Sequence, residues 1–222
     1  QLAGIPYVGP HVSASAVAMD KTLTKLVADQ AKIPQAAWEL VRRSELDSRA
    51  DAVLDQLEAR FDYPMFVKPA GTGSSVGVTK AGDRETLLQG LISAAVYDEK
   101  VLVEEFIKGK EIEVAVMGNR SPMASDKRID AVCKLKFYHF RHCGEIDSGA
   151  EFYDYDAKYI TDTSVAYIPA RISEATSEQV RDMAVRVYQA IGCRGLSRVD
   201  FFVTDEGSHV ILNEINTIPG FT

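Results

Sequence analysis

The sequence predicts an α+β (mixed α/β) fold, because segments with helical periodicity are interspersed with short apolar runs that are bounded by turn residues. Apolar residues recur at helical spacing in four segments, which are 20–30, 47–61, 83–96 and 173–191. Apolar runs with strand character lie at 36–41, 63–69, 76–80, 101–107, 111–117 and 165–169, and two more follow residue 194. Residues 1–18 are small and apolar with several glycines and prolines, which predicts a loop that leads into a short helix.

Length, charge and cysteine content limit the classes of function. The 222 residues suffice for one large domain or two small ones, and the net charge of −7 disfavours nucleic-acid and anionic-membrane partners. No apolar run has transmembrane length, and no signal peptide is evident. Three widely spaced cysteines do not form a disulfide framework, so we expect a cytoplasmic protein. Gln1 in place of an initiator Met leads us to expect a fragment, trimmed at both ends.

The last quarter of the chain predicts a hairpin that carries a metal site. Its two apolar runs flank a polar turn that contains Gly207. The first run carries Arg198 and Asp200, and the second carries Glu214 and Asn216. Residues two apart on a strand share a face, so pairing the runs would bring Asp200, Glu214 and Asn216 together. Three hard oxygen donors beside a cation suit Mg²⁺ or Mn²⁺ that carries phosphate oxygens. The alternative is a hairpin edge with solvated polar residues, which the very apolar strands disfavour.

A glycine-rich segment follows Lys68. It reads Gly-Thr-Gly-Ser-Ser-Val-Gly over residues 71–77, where glycines let backbone N–H groups approach a phosphate and serines add hydroxyl donors. It is not a Walker A loop, because the lysine precedes the glycines, and it lacks the G-x-G-x-x-G dinucleotide pattern. A hairpin that covers a triphosphate and a plain flexible turn explain these residues about equally well.

The strand at 101–107 ends in charged residues. An exposed strand end can pair with the edge of an adenine, and the carboxylate of Glu111 can accept ribose hydroxyls, although solvated glutamates at a strand end are commoner. Lys108, Gly109 and Lys110 predict a further hairpin that joins 101–107 to 111–117.

The segment 152–159 combines four aromatic residues with two acids and Lys158 in a predicted loop. Lys158 would reach a γ-phosphate when such a loop closes. The alternative is a loop whose aromatic side chains cover the core.

These motifs, in this order, resemble the ATP-grasp fold and, within it, the D-alanine–D-alanine ligases. The matching segments cover nearly the whole chain and are 5–9, 13–15, 19–21, 67–69, 73–77, 103–105, 111, 152–159, 195–200 and 213–220. The resemblance implies two α+β subdomains that clamp ATP. It assigns 1–18 to the end of an N-terminal region or linker, 19–107 to the central subdomain, and 108–222 to a truncated C-terminal subdomain with an insertion at 126–142.

The resemblance also implies roles for individual residues. Contacts to the nucleotide are implied for Lys21, Lys68, Ser74, Ser75, Val76, Glu104, Glu105, Phe106, Ile107, Glu111 and Lys158. Two Mg²⁺ (or Mn²⁺) ions are implied on Asp200, Glu214 and Asn216, with Glu214 bridging. Arg198 and the backbone N–H of Gly220 match the groups that hold the acyl phosphate and the oxyanion, while Ser74 and Tyr159 match the pair that links the 152–159 loop to the site.

The function implied is ATP-dependent ligation of two D-alanines through an acyl phosphate, for peptidoglycan precursor synthesis in a bacterial cytoplasm. The partners implied are the small molecules ATP and D-alanine, and a homodimer stays open. D-serine or D-lactate as the second substrate is a related alternative, although the 152–159 loop is more similar to dipeptide enzymes than to lactate enzymes. A non-catalytic module that binds ATP and Mg²⁺ is the alternative from another class.

Overall fold

Two antiparallel sheets, both packed against helices, form the architecture. A computed structural model of the chain describes residues 3–5, 7–118, 138–139, 142–147, 165–204 and 209–219. The helices are α1 (Val12–Met19), α2 (Lys21–Gln30), α3 (Arg43–Glu58), α4 (Arg84–Tyr97) and α5 (Glu174–Ile191). The strands are β1 (Trp38–Arg42), β2 (Met65–Pro69), β3 (Thr79–Ala81), β4 (Lys100–Glu105), β5 (Lys110–Gly118), β6 (Tyr138–His139), β7 (Gly144–Asp147), β8 (Val165–Tyr167), β9 (Gly195–Thr204) and β10 (His209–Asn216). The predicted α+β class is confirmed.

The smaller sheet has the strand order β1-β4-β2-β3, and α3 and α4 pack against it. Burial alternates along β2, as expected for a strand with one face on a core. Met65 and Val67 are fully buried in the same cluster as Leu87 and Leu91 of α4. Lys68 therefore points to the opposite face of the sheet, away from these helices.

The larger sheet has the order β10-β9-β5-β7-β8, with β6 paired to β5. Helices α1, α2 and α5 contact this sheet or each other, and its core includes Ile112 and Val114 of β5 with Phe201 of β9. Alternation along β5 then places Glu111 and Glu113 on the other face. Each sheet thus presents charged side chains on the face that its helices leave uncovered.

The hairpin predicted around Gly109 is wrong. β4 pairs with β1 and β2, whereas β5 pairs with β9, β7 and β6, so residues 106–109 carry the chain from one sheet to the other. A Cβ at Gly109 would lie 2.7 Å from the carbonyl oxygen of Val203 on β9. The glycine is therefore required by close packing against a neighbouring strand, and the same residue type had indicated a tight turn.

Several predictions fall outside the described residues. These are the loop at 152–159, the turn at 205–208, and the insertion at 126–142 apart from residues 138–139 and 142. Of the helices within the described ranges, none combines the length and the apolar character that crossing a membrane requires.

Candidate nucleotide and metal site

A cleft lies between the two sheets, with residues of both sheets in its lining. The smaller sheet and α2 contribute cations and the glycine-rich segment, and β10 contributes oxygen donors. Among its lining residues are Lys21, Lys25, Lys68, Ser74, Glu104, Glu214 and Asn216. The cleft therefore brings the lysines and the glycine-rich segment next to the oxygen donors of β10, which are distant along the chain.

Glu104 binds two lysines at the floor of the cleft. Its Oε2 lies 2.6 Å from Nζ of Lys68, and its Oε1 is paired with Nζ of Lys25. Burial alone would raise the pKa of Glu104, but Lys68 and Lys25 outweigh it and hold this pKa at about 2. Burial would likewise lower the pKa of Lys68, but Glu104, with Glu214 and Glu111 across the cleft, raises it. One net positive charge remains on this triad.

Sequence reasoning missed Lys25. Two of the apolar residues that give the segment 20–30 its helical spacing, Leu23 and Leu26, are 42% and 54% exposed, while Lys25 is buried. The available signal was spacing: Lys25 lies four residues after Lys21, on the same side of the helix.

Lys21 fixes the start of α2 to the glycine-rich segment. Its backbone N–H donates to the carbonyl oxygen of Ala70 at 3.0 Å, and its Nζ donates to the carbonyl oxygen of Thr72. The preceding residue, Asp20, caps the helix by accepting from the N–H of Thr22 and Leu23 at 3.0 and 3.2 Å. The lysine is therefore held at the base of the segment that was predicted to cover phosphates.

Ser74 and Ser75 lie at the tip of that segment. Both have positive φ, 53° and 58°, which is unfavourable for residues with a Cβ. Val76 follows, and its N–H donates to the carbonyl oxygen of Gly73 at 3.1 Å. Strained backbone of this kind is common where main-chain N–H groups are presented to a ligand.

Part of the strand end predicted to contact adenine is already hydrogen-bonded within the chain. Glu105 accepts from the N–H of Ala37 at 2.7 Å through its carboxylate, and its own N–H donates to the carbonyl oxygen of Ala37 at 3.1 Å. Glu105 thus ties β4 to the segment before β1. Phe106 and Ile107 follow the last residue of β4, and the Phe106 ring lies 5.9 Å from that of Phe66.

On the opposite side of the cleft, β9 carries Arg198 and Asp200. The guanidinium donates through Nε to Oδ1 and through Nη2 to Oδ2 of Asp200, both at 2.8 Å. Glu113 on β5, which sequence reasoning also missed, lies 3.2 Å from Nη2 of Arg198. Burial raises the pKa of Asp200 to about 7 although Arg198 opposes it, and the charges of Glu113 and Glu214 contribute to the rise. Arg198 is thus surrounded by acids.

The predicted pairing of the closing hairpin is found. Glu214 lies opposite Asp200, and Asn216 lies opposite Arg198. The Nδ2 of Asn216 donates to Oδ2 of Asp200 at 2.9 Å and approaches Oε1 of Glu214 at 3.4 Å. A rotation of this amide by half a turn would direct its oxygen to the same point as the two carboxylates, so the donor set suits Mg²⁺ or Mn²⁺.

A β-bulge that the sequence did not predict adjusts this pairing. The register between β10 and β9 shifts between Leu212 and Glu214, so that Asn213 is the additional residue. Leu212 and Ile215 are both buried, which shows that the alternation of the strand changes phase at this point. The bulge therefore turns Glu214 towards the cleft.

Glu111 lies opposite Phe202 on β9 and Ile146 on β7, on the cleft side of the larger sheet. Lys158, Tyr159 and Gly220, which the resemblance placed at the γ-phosphate, the loop and the oxyanion, lie outside the described residues.

Comparison with known proteins identifies the family. Residues 27–222 match the family model for the D-ala D-ala ligase C-terminus. The chain is 51% identical over 222 residues to a D-alanine–D-alanine ligase of Acetivibrio thermocellus, with 100% of this chain and 55% of that protein covered. It is 47% identical over 224 residues to a D-alanine–D-alanine ligase of Ruminiclostridium cellulolyticum, again with 100% and 55% covered.

Two solved structures are similar in fold. The VanG D-Ala:D-Ser ligase from Enterococcus faecalis superposes with a TM-score of 0.82 at 35% identity, and the match covers 100% of this chain and 58% of that one. The D-alanine-D-alanine ligase from Coxiella burnetii superposes with a TM-score of 0.76 at 31% identity, covering 98% and 52%. The chain spans about half the length of the curated relatives it matches.

The two facing sheets and the cleft between them are therefore those of an ATP-grasp protein. Within that class, the chain belongs to the D-alanine–D-alanine ligase family.

Proposed function

We propose that this chain supplies the nucleotide and metal site of an ATP-dependent ligase that joins two D-alanines for peptidoglycan precursor synthesis. The observation that carries the proposal is the meeting, in one cleft, of Lys68 and the glycine-rich segment with Glu214 and Asn216 from the other sheet, where Asn216 is hydrogen-bonded to Asp200. Cations and N–H donors on one wall and oxygen donors on the other suit a metal–triphosphate, whose charge needs both.

The reaction proposed has two steps. The carboxylate of the first D-alanine attacks the γ-phosphorus of ATP, which forms an acyl phosphate and releases ADP. The amine of the second D-alanine then attacks the acyl carbon, phosphate leaves, and the amine loses a proton. Both steps develop negative charge on oxygen, and fixed cations and N–H donors that are already in place stabilise such charge.

The residues of the chain fit these steps. Lys21 and Lys68 would neutralise the nucleotide phosphates, while the backbone at Ser74 and Ser75 would present N–H groups to them. Arg198 is fixed by two hydrogen bonds to Asp200, which orients its guanidinium without rearrangement during the reaction. Lys158, Tyr159 and Gly220 are proposed to complete the site, on the resemblance alone.

Asp200, Glu214 and Asn216 would hold the Mg²⁺ or Mn²⁺ ions. Bound there, the ions would supply charge neutralisation at the triphosphate. Burial raises the pKa of Asp200, and the charges of Glu113 and Glu214 add to the rise. A divalent cation bound there would relieve the repulsion between these carboxylates.

A second candidate differs in the second substrate. The similarity to a D-Ala:D-Ser ligase over the whole chain favours testing D-serine beside D-alanine. In both candidates, residues 19–107 and 108–222 are proposed to form the two parts of one clamp around ATP. A direct assay with each second substrate distinguishes the candidates.

The test is release of phosphate from ATP by the full-length protein with D-alanine alone, and with D-alanine plus D-serine or D-lactate. Mass spectrometry identifies the product. We expect phosphate release that depends on D-alanine, with D-alanyl-D-alanine as the product. Binding of ATP and Mg²⁺ without such release would instead support the non-catalytic module, and a mixed product would support the second candidate.

A further inference from the structure

Both ends of the glycine-rich segment contact the C-terminal end of α4. At the first end, the N–H of Gly71 donates to Oδ2 of Asp98 at 2.8 Å. A Cβ at Gly71 would lie 2.9 Å from this oxygen, so a larger residue there would displace the carboxylate. Asp98 is the C-cap residue that follows the last residue of α4.

The second end packs against the neighbouring side chain. Gly77 has a φ of +73°, and a Cβ there would lie 2.7 Å from the ring of Tyr97 and 2.9 Å from Pro69. Tyr97 is 54% exposed, so its ring covers the outer side of the segment and does not belong to the core. Gly71 and Gly77 are thus held by two consecutive residues of one helix end.

The helix end itself is fixed in place. Oδ1 of Asp98 accepts from the N–H of Lys100 at 3.0 Å, and the N–H of Asp98 donates to the carbonyl oxygen of Ala94 at 3.2 Å. Leu91 and Ala94 anchor this turn of α4 in the core of the smaller sheet, where both are fully buried. The carboxylate of Asp98 therefore connects a rigid helix and strand to the start of the segment.

Between its ends, the segment is held by turn hydrogen bonds, among them the one from the N–H of Val76 to the carbonyl oxygen of Gly73 at 3.1 Å. The hydroxyl of Thr72 donates to the carbonyl oxygen of Val76 at 2.9 Å, and the intervening Ser74 and Ser75 hold their unfavourable positive φ angles. Such a conformation persists where the surrounding structure imposes it. A segment that is already ordered also loses less conformational entropy when a ligand binds than a free loop would lose.

We propose that Tyr97 and Asp98 are positioning residues for the phosphates of the nucleotide. They fix the two ends of the glycine-rich segment, so that the backbone at Ser74 and Ser75 is set for phosphate before the nucleotide binds. This inference rests on the proposed function only in that the segment binds phosphate. It concerns Tyr97 and Asp98, which are not among the residues that line the cleft.

Calorimetric titration of the full-length protein with two probes, MgATP and adenosine, tests this. Adenosine has no phosphates, so it reports on the rest of the site. We expect Asp98→Ala and Tyr97→Ala to weaken MgATP binding by about tenfold, since each removes one anchor, and to leave adenosine binding unchanged.

Conservative variants separate positioning from a general effect on folding. Tyr97→Phe keeps the ring on Gly77 and should bind MgATP as the parent does. In the parent, the N–H groups of Gly71 and Lys100 each bind a separate oxygen of Asp98. Asp98→Asn keeps only one acceptor oxygen, so its affinity for MgATP should lie between those of Asp98→Ala and the parent. Glu99→Ala removes the next carboxylate, which is exposed, and should change neither titration.

Equal weakening of MgATP and adenosine binding in the alanine variants would overturn the proposal, as would unchanged MgATP binding. A protein that binds MgATP with the expected pattern, yet releases no phosphate in response to D-alanine, would retain this inference and refute the ligase function.

Discussion

Arg198 binds both carboxylate oxygens of Asp200, the residue two positions later on the same strand, through Nε and Nη2 at 2.8 Å. A planar guanidinium makes this two-point contact, whereas an ammonium group cannot. The pair links the predicted metal site to the residue proposed to face the reacting phosphate. Replacement of Arg198 by lysine keeps the positive charge but removes the two-point contact, so it tests the importance of this geometry.

Arg198→Lys should reduce kcat for D-alanine-dependent phosphate release by about 10²-fold, because the cation loses its fixed direction. Steady-state kinetics of the full-length protein measure this. Arg171→Lys is the control, since Arg171 also donates through Nε and Nη2 to one carboxylate, in this case to the single oxygen Oε1 of Glu145, away from the cleft. Comparable kcat values for Arg198→Lys and the parent would remove Arg198 from the site.

Glu214→Gln should weaken the effect of Mg²⁺ in two measurements. Loss of a carboxylate ligand should raise the Mg²⁺ concentration needed for half-maximal turnover by about tenfold. The stabilisation that added Mg²⁺ gives to the fold should decrease for the same reason. Mg²⁺ titrations of turnover and urea unfolding with and without Mg²⁺ give the two values.

Glu178→Gln, on the exposed side of α5, is the control for both measurements on Glu214. A Glu214→Gln protein with the Mg²⁺ dependence of the parent would refute the metal assignment.

Lys25→Met should destabilise the chain and weaken ATP binding together. The substitution leaves buried Glu104 with Lys68 as its remaining lysine, at a cost of about 2–3 kcal/mol, less than when a buried charge loses every partner. It also draws Lys68 towards Glu104 and away from phosphate. Urea unfolding and the KM for ATP measure the two effects, and Lys32→Met removes an exposed lysine near the same helix as a control. A raised KM without loss of stability would contradict the shared ion pair.

Glu104 should make stability depend on pH in the acid range. Its pKa is lowered from 4.5 to about 2 in the folded chain, so the unfolded chain binds the proton first as pH falls. The ion pair then contributes its full stabilisation above pH 4.5 and loses it as pH falls through 2, a change of about 3 kcal/mol.

The free energy of unfolding, measured between pH 2 and 6 for the parent and for Glu104→Gln, isolates this contribution. The difference between the two proteins should shrink as pH falls. A constant difference would mean that Glu104 is not charged in the folded chain.

Strand alternation and ligand chemistry predicted the closing hairpin and the meeting of Asp200, Glu214 and Asn216, because pairing across a hairpin is local in sequence. Lys25 and Glu113 were missed because their partners lie on other elements and no motif marks them. Gly109 was misinterpreted because a glycine required by packing and a glycine required by a turn look the same in a sequence. The sequence alone does not show which elements that are distant along the chain lie next to each other in the fold.

The additional residue at Asn213 makes one position of β10 dispensable to its alternation. Without Asn213, Glu214 would follow Leu212 directly, and Glu214 and Asn216 would still face the cleft while Ile215 faces the core. Removal of Ile215 would instead turn Asn216 towards the core. When related sequences are aligned, a gap at 213 is therefore compatible with the proposed metal site, whereas a gap at 215 indicates its loss even if every acidic residue is retained.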